Sequence, residues 1–131
     1  AGGGAVSGAG VAFQPPVPRD DLLVLLGYAK AVLNSSRSEG MSNTLLEGMT
    51  CGTPIVARAC PGNVSLVRHR RTGLLYSTPS ECVALCKELL QHPHLSATLS
   101  SAAGVYVSMH HSLEKERNSL KSALEVLLDS N

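Results

Sequence analysis

The sequence predicts an α/β fold with a parallel sheet followed by C-terminal helices, and three observations carry that expectation. Short apolar runs at 31–36, 54–59 and 72–77 alternate with helical patterns, the spacing of βαβ units around a parallel sheet. Of the 131 residues, 44% are hydrophobic and only 3% aromatic. A core of Leu, Val and Ala can therefore form, and disorder over most of the length is excluded. From Ser80 onward the pattern is helical throughout. The length suits one domain.

Residues 1–12, AGGGAVSGAGVA, hold five of the twelve glycines and no charge. This stretch reads as a flexible leader, since a signal peptide needs a basic start and a bulkier apolar run. The domain proper is taken as 13–131, and the lack of an initiating Met suggests a fragment or a processed product. Val11 to Gln14 reads as a short strand ended by Pro15 and Pro16. Asp20 and Asp21 then open a helix containing Leu22, Leu23, Leu25 and Leu26, because carboxylates favour a first helical turn.

AVLNSS (31–36) has the composition of a buried strand. A polar loop follows, then a helix from Asn43 to Cys51 that Gly52, Thr53 and Pro54 break. PIVARA (54–59) reads as the next strand. Pro61 and Gly62 lead into a short helix through Val64, Leu66 and Val67, and TGLLYS (72–77) as a brief strand. Ser80 is the expected cap of the following helix, with Glu81 in its first turn; Pro93 starts another. The last helix spans Ser112 to Leu128, where Leu113, Leu120, Leu124 and Leu127 make a narrow apolar stripe. Such a stripe suits core packing or, alternatively, a docking surface.

The net charge of +1 excludes the overall basicity of a nucleic-acid coat. Its distribution says more. Between 22 and 80, Lys30, Arg37, Arg58, Arg68, Arg70 and Arg71 face only Glu39 and Glu47, a local excess of four, while the segments on either side are slightly acidic. That pattern fits an anion site as well as a solvated basic face. Nucleic acid is not the expected partner: Arg68, His69, Arg70 and Arg71 cluster, but aromatic residues for base stacking are not interleaved with them.

Cys51, Cys60, Cys82 and Cys86 form neither a zinc pattern nor a disulfide framework, so they read as reduced structural thiols in a cytoplasmic protein. His92 and His94, or His110 and His111, lack nearby ligands at metal spacing, and no metal site is expected. No apolar run approaches the roughly 18 residues needed to span a bilayer. A dinucleotide Gly-x-Gly-x-x-Gly after a strand is also missing.

The most informative stretch is NSSRSEGMSNTLLEGMTCGTPIVA (34–57). It leaves a strand, passes through a loop with Glu39 and Gly40, and enters a helix whose first turn holds Asn43 and Thr44. In an open parallel sheet, ligands sit beyond the carboxyl ends of the strands, where this loop would lie. Unpaired N–H groups at a helix start suit phosphate, and Gly40 has no Cβ to keep a ligand from the backbone. Carboxylates repel a diphosphate, so the natural partners of Glu39 and Glu47 are the hydroxyl groups of sugars. Together these features favour a nucleotide sugar. Thr44-x-x-Glu47 also fits a capping box that needs no ligand, and Glu39 also reads as an exposed loop acid.

The run Glu39-Gly40-Met41-Ser42-Asn43-Thr44-Leu45-Leu46-Glu47, continued by Gly48 to Ala57, resembles the Glu-x7-Glu signature of retaining glycosyltransferases of the two-Rossmann-domain (GT-B) architecture, group 1 (family 4). Pro61-Gly62-Asn63, Leu66-Val67 and Thr72-Gly73-Leu74-Leu75-Tyr76 resemble that group's downstream pattern. The resemblance covers roughly 15–117. It departs at Pro61 and Ser65, where many members have Gly and Glu.

The resemblance implies that the chain is the nucleotide-sugar-binding C-terminal half of such an enzyme, a partial Rossmann-like sheet with C-terminal helices, inactive alone. Glu39 would touch the donor sugar near the reacting carbon. Gly40, Met41, Ser42, Asn43 and Thr44 would hold the sugar and diphosphate, and Glu47 the ribose hydroxyls. The donor would be a substrate, with no cofactor and no divalent metal. The upstream cations of the family are missing here, and Arg37 or Arg58 are candidates to replace them in part. The acceptor stays unassigned. The C-terminal helices would meet an N-terminal domain or a second copy. The alternative is a non-catalytic interaction module derived from such an enzyme.

Overall fold

The structure, a computed structural model, describes residues 6–7, 10–37, 40, 42–110 and 113–130. Val6–Ser7 (β1) pairs antiparallel with Val11–Ala12 (β2), Val6 opposite Ala12. The strand expected at Val11–Gln14 is thus shorter and belongs to a separate two-stranded ribbon rather than to the parallel sheet. Pro15 and Pro16, which have no N–H to donate, follow at once. Residues 1–5, 8 and 9 of the expected leader lie outside the described set.

The main body begins with helix α1 (Arg19–Tyr28) and continues through β3 (Val32–Asn34), α2 (Asn43–Thr50), β4 (Ile55–Arg58), α3 (Pro61–Leu66) and β5 (Leu74–Tyr76). The three strands lie in the order β3-β4-β5, all parallel. Their register sets Asn34 beside Ala57 and Arg58 beside Tyr76, so the carboxyl ends of all three strands share one edge. α4 (Pro79–Gln91), α5 (Pro93–His110) and α6 (Leu113–Asp129) complete the chain. The α/β fold with a parallel sheet and C-terminal helices is as the sequence predicts.

Alternation along the strands divides the core between two faces. Ile55 and Ala57 pack with Leu45 and Met49 of α2, Leu66 and Val67 at the end of α3, and Ala103 and Val107 of α5. Val56, Leu74 and Tyr76 face the other way, against Leu85 and Leu89 of α4 and Leu99 of α5. α2 sits close to the sheet because Gly48 carries no side chain: a Cβ there would lie 3.0 Å from both Ile55 Cδ1 and Val32 Cγ2. Gly52, with φ of +77°, adopts just beyond α2 the left-handed conformation that favours glycine.

Two expected caps are corrected. The cap of α4 is Thr78, whose Oγ1 accepts from Glu81 N, with Pro79 in the first helical position. Glu81 in turn accepts from Ser77 N at 2.9 Å. Ser80 is already helical, since proline is better placed inside the first turn than before a cap. The cap of α2 is Ser42, whose Oγ accepts from Leu45 N at 3.3 Å. The Thr44–Glu47 capping box is therefore not formed, because Thr44 lies within the helix.

The apolar stripe of the last helix does not enter the core at its described positions. Leu120, Leu124 and Leu127 of α6 are exposed. Core packing, the simpler of the two expectations for this stripe, is not what these side chains do.

Candidate donor site at the carboxyl edge of the sheet

The edge where β3, β4 and β5 end is held by a network of side chains. Asn63, fully buried in α3, donates its Nδ2 to Asn34 Oδ1 at 2.9 Å and to the Arg58 carbonyl at 3.0 Å. Tyr76 at the end of β5 donates its hydroxyl to the Asn34 carbonyl at 2.8 Å. Asn34 Oδ1 also accepts from Ser36 N at 3.1 Å, fixing the chain as it leaves β3 for the loop. Buried polar groups cost least when partnered in this way. Burial, and then the neighbouring Cys82 thiol, push the Tyr76 phenol above its usual range, with Arg58 pulling in the opposite direction.

Above this floor the loop turns into α2. Ser42 is buried as the cap, while Asn43 and Thr44 are exposed at the first two helical positions. Their N–H groups precede the intrahelical ladder, which begins four residues along, and they lie at the positive end of the helix dipole. Gly40 is exposed, and a Cβ there would meet nothing within 4 Å. Among the described residues nothing crowds position 40, and the backbone there stands open. Glu39 and Met41 lie outside the described residues.

Glu47 is half-buried on α2, just over one turn from the cap. Its Oε1 lies 3.3 Å from Arg19 Nε, with the Glu47 side chain 20% and that of Arg19 75% exposed. Arg19 reaches it because α1 runs back along the sheet before β3 begins, bringing its first residue to the carboxyl edge. Of the proposed substitute cations, Arg58 ends β4 half-buried at this edge, and Arg37 is exposed in the loop.

Sequence reasoning did not single out Arg19, Asn34, Asn63 or Tyr76. Arg19 did carry a signal. It stands at a helix start, where a cation opposes the dipole. Asn34 is a polar residue at the close of an apolar strand, which marks a strand end but not its partners.

The four cysteines are free thiols. Among the described residues, no three or more His, Cys, Asp or Glu side chains converge as metal ligands, and no helix is long and apolar enough to cross a membrane. The basic cluster Arg68–Arg71 precedes β5 and so lies at the opposite edge of the sheet, where Arg70 makes a two-pronged contact with Glu88.

Comparisons with known proteins identify the family of the chain. Residues 4–92 match the model of the family "Glycosyl transferases group 1". The chain is 41% identical over 115 residues to glycosyltransferase 1 domain-containing protein 1 of Xenopus tropicalis, covering 88% of this chain and 33% of that protein. It is similar in structure to sucrose-phosphate synthase from Thermosynechococcus elongatus, with a TM-score of 0.84 and 25% identity over 95% of this chain and 32% of the other. Anabaena HepE in complex with UDP-glucose is also similar, with a TM-score of 0.69 and 26% identity over 82% of this chain and 30% of the other. The chain thus spans about a third of the length of these relatives. In sequence and in fold, the chain belongs to the group 1 glycosyl transferase family.

Proposed function

We propose that residues 13–131 form the donor-binding domain of a retaining GT-B glycosyltransferase that takes a nucleoside diphosphate sugar. The observation that carries this reading is the Ser42-capped start of α2 at the carboxyl edge of a parallel sheet, with Glu47 half-buried on the same helix. The N–H groups of Asn43 and Thr44 suit a diphosphate. Gly40, Met41 and Ser42 would complete the cradle for sugar and phosphates. Glu47, an acceptor when ionised, would take the ribose hydroxyls, and Glu39 would act at the sugar beside the reacting carbon. The UDP-glucose complex of HepE supports a nucleotide-sugar donor.

Departure of the nucleoside diphosphate would be assisted by the dipole of α2 and by cations such as Arg58 and Arg37, without a divalent metal or other cofactor. Residues 1–12 would serve as a leader ahead of the domain, with the β1–β2 ribbon inside it. The acceptor, not nucleic acid, would be held by an N-terminal domain outside these residues, and the 131-residue chain alone would turn over little. Free thiols fit a reducing, cytoplasmic setting.

Titration of the chain with UDP-glucose by calorimetry tests the reading. Submillimolar binding that disappears in Glu47→Ala supports it, and silence toward UDP- and GDP-sugars overturns it. In the complete protein, Glu39→Ala should abolish transfer. A second reading, an interaction module that pairs through its C-terminal helices with a second copy or an N-terminal domain, is favoured by the exposed Leu120, Leu124 and Leu127 of α6. It requires a stable complex that does not depend on Glu39.

A further inference from the structure

Arg19 stands at the first position of α1, directly after Pro18, where no side chain caps the helix. A helix start favours anions, which Asp20 and Asp21 supply, and disfavours a cation. Its position is explained by Glu47, 28 residues away on α2, whose carboxylate Arg19 meets through Nε at 3.3 Å. α1 is moored to the segment after α2 by Thr53 Oγ1, which donates to the Leu26 carbonyl, and by Cys51 Sγ, 3.9 Å from the Leu23 carbonyl. These contacts limit the movement of α1 relative to α2, so the backbone that carries Arg19 is held opposite Glu47.

The contact engages Glu47 at one oxygen. Each carboxylate oxygen accepts two hydrogen bonds, so the pair leaves the carboxylate able to take further donors. We infer that Arg19 is a positioning residue of the donor site: it orients the Glu47 carboxylate toward the vicinal hydroxyls of the nucleotide ribose and offsets its repulsion of the diphosphate. This rests on the reading of Glu47 given above. Without the guanidinium, the carboxylate would rotate at the site's edge and face the phosphates uncompensated. The loss would fall on ligands that carry the ribose diol, because the diol is what Glu47 recognises.

The test compares UDP with 2′,3′-dideoxy-UDP by calorimetry on the 131-residue chain. Hydrogen bonds to a charged acceptor make the wild-type chain prefer UDP by about tenfold or more. Arg19→Ala is expected to shrink that preference to within about threefold, and Arg19→Lys, which keeps the charge, to restore part of it. Arg71→Ala removes an exposed cation at the opposite edge and should leave the preference unchanged. Arg19 is mostly exposed, and matching melting curves would establish that the variants fold. A destabilised fold would weaken both ligands alike, whereas the ratio reports the diol contact.

A wild-type preference in Arg19→Ala overturns the role of Arg19 and leaves that of Glu47 standing. Equal binding of the two ligands by the wild-type chain, or binding of neither, overturns the Glu47 reading and this inference with it.

Discussion

The Tyr76 hydroxyl donates to the main-chain carbonyl of Asn34 at 2.8 Å, joining the two outer strands of the sheet across β4. The bond lies at the carboxyl edge, so it braces the floor of the candidate site as well as the sheet. Tyr76→Phe keeps the ring in the core and removes the hydroxyl, and with it this bond and the interaction with the Cys82 thiol. It should cost about 1 kcal/mol and lower the melting temperature by a few degrees. The raised phenol pKa adds a second test. Folding holds the proton more tightly, so the stability this group contributes is complete below about pH 10, the unfolded tyrosine value, and is lost as pH rises through the higher folded value. Thermal melts of the two proteins between neutral and alkaline pH should therefore converge at the alkaline end. A gap that widens there contradicts the assignment.

Asn63 is fully buried with both acceptors of its amide nitrogen on the chain, Asn34 Oδ1 and the Arg58 carbonyl. Its own Oδ1 has no partner among the described residues. Asn63→Asp exchanges the donor for a second oxygen, which faces those two acceptors and buries a charge when ionised. The loss should be about 3 kcal/mol or more, read as a fall in the urea midpoint with an unchanged slope. A near-wild-type midpoint would show that the network does not hold the edge together.

How much of this was legible in the sequence depends on the range of the interaction. The βαβ order follows from apolar runs and breakers, and each parallel strand fell within its expected run. The start of α2 at Asn43 and its end before Gly52, Thr53 and Pro54 were legible because those signals are local. Arg19–Glu47 and Asn34–Asn63 join residues 28 and 29 positions apart. Such pairing is fixed only once the sheet register and the return of α1 are known. The caps of α2 and α4 were misplaced for a nearer reason: Ser42 and Thr44, like Thr78 and Ser80, are competent caps two residues apart, and backbone geometry chooses between them.

At the opposite edge, Arg70 holds Glu88 through two hydrogen bonds, at 2.9 and 3.0 Å. That contact is the largest cause holding the Glu88 carboxyl below its usual range. With a lowered folded pKa, the folded state binds fewer protons. The pair's contribution is therefore present above the unfolded value, about 4.3, and is lost as pH falls through the folded one. Glu88→Gln should be somewhat less stable than wild type at neutral pH, and the two urea midpoints should meet as pH falls below about 4. A difference that persists at acid pH would assign the effect to packing instead.

Truncating a leucine has opposite expected outcomes in α2, where Leu45 is buried, and in α6, where Leu120, Leu124 and Leu127 are exposed. Leu45 is fully buried between α2 and the sheet, whereas Leu124 is 50% exposed. Leu45→Ala should leave a cavity and cost about 2–5 kcal/mol. Leu124→Ser removes side-chain surface that already faces water, so its effect on unfolding should stay within about 0.5 kcal/mol. Denaturant unfolding of the two variants distinguishes a stripe that supports the core from one that does not. If Leu124→Ser destabilises the chain as strongly as Leu45→Ala, α6 packs against the body in solution and its leucines are not available to a partner. If it leaves stability unchanged, sedimentation of the wild-type chain over a range of concentrations then shows whether a second copy covers the stripe.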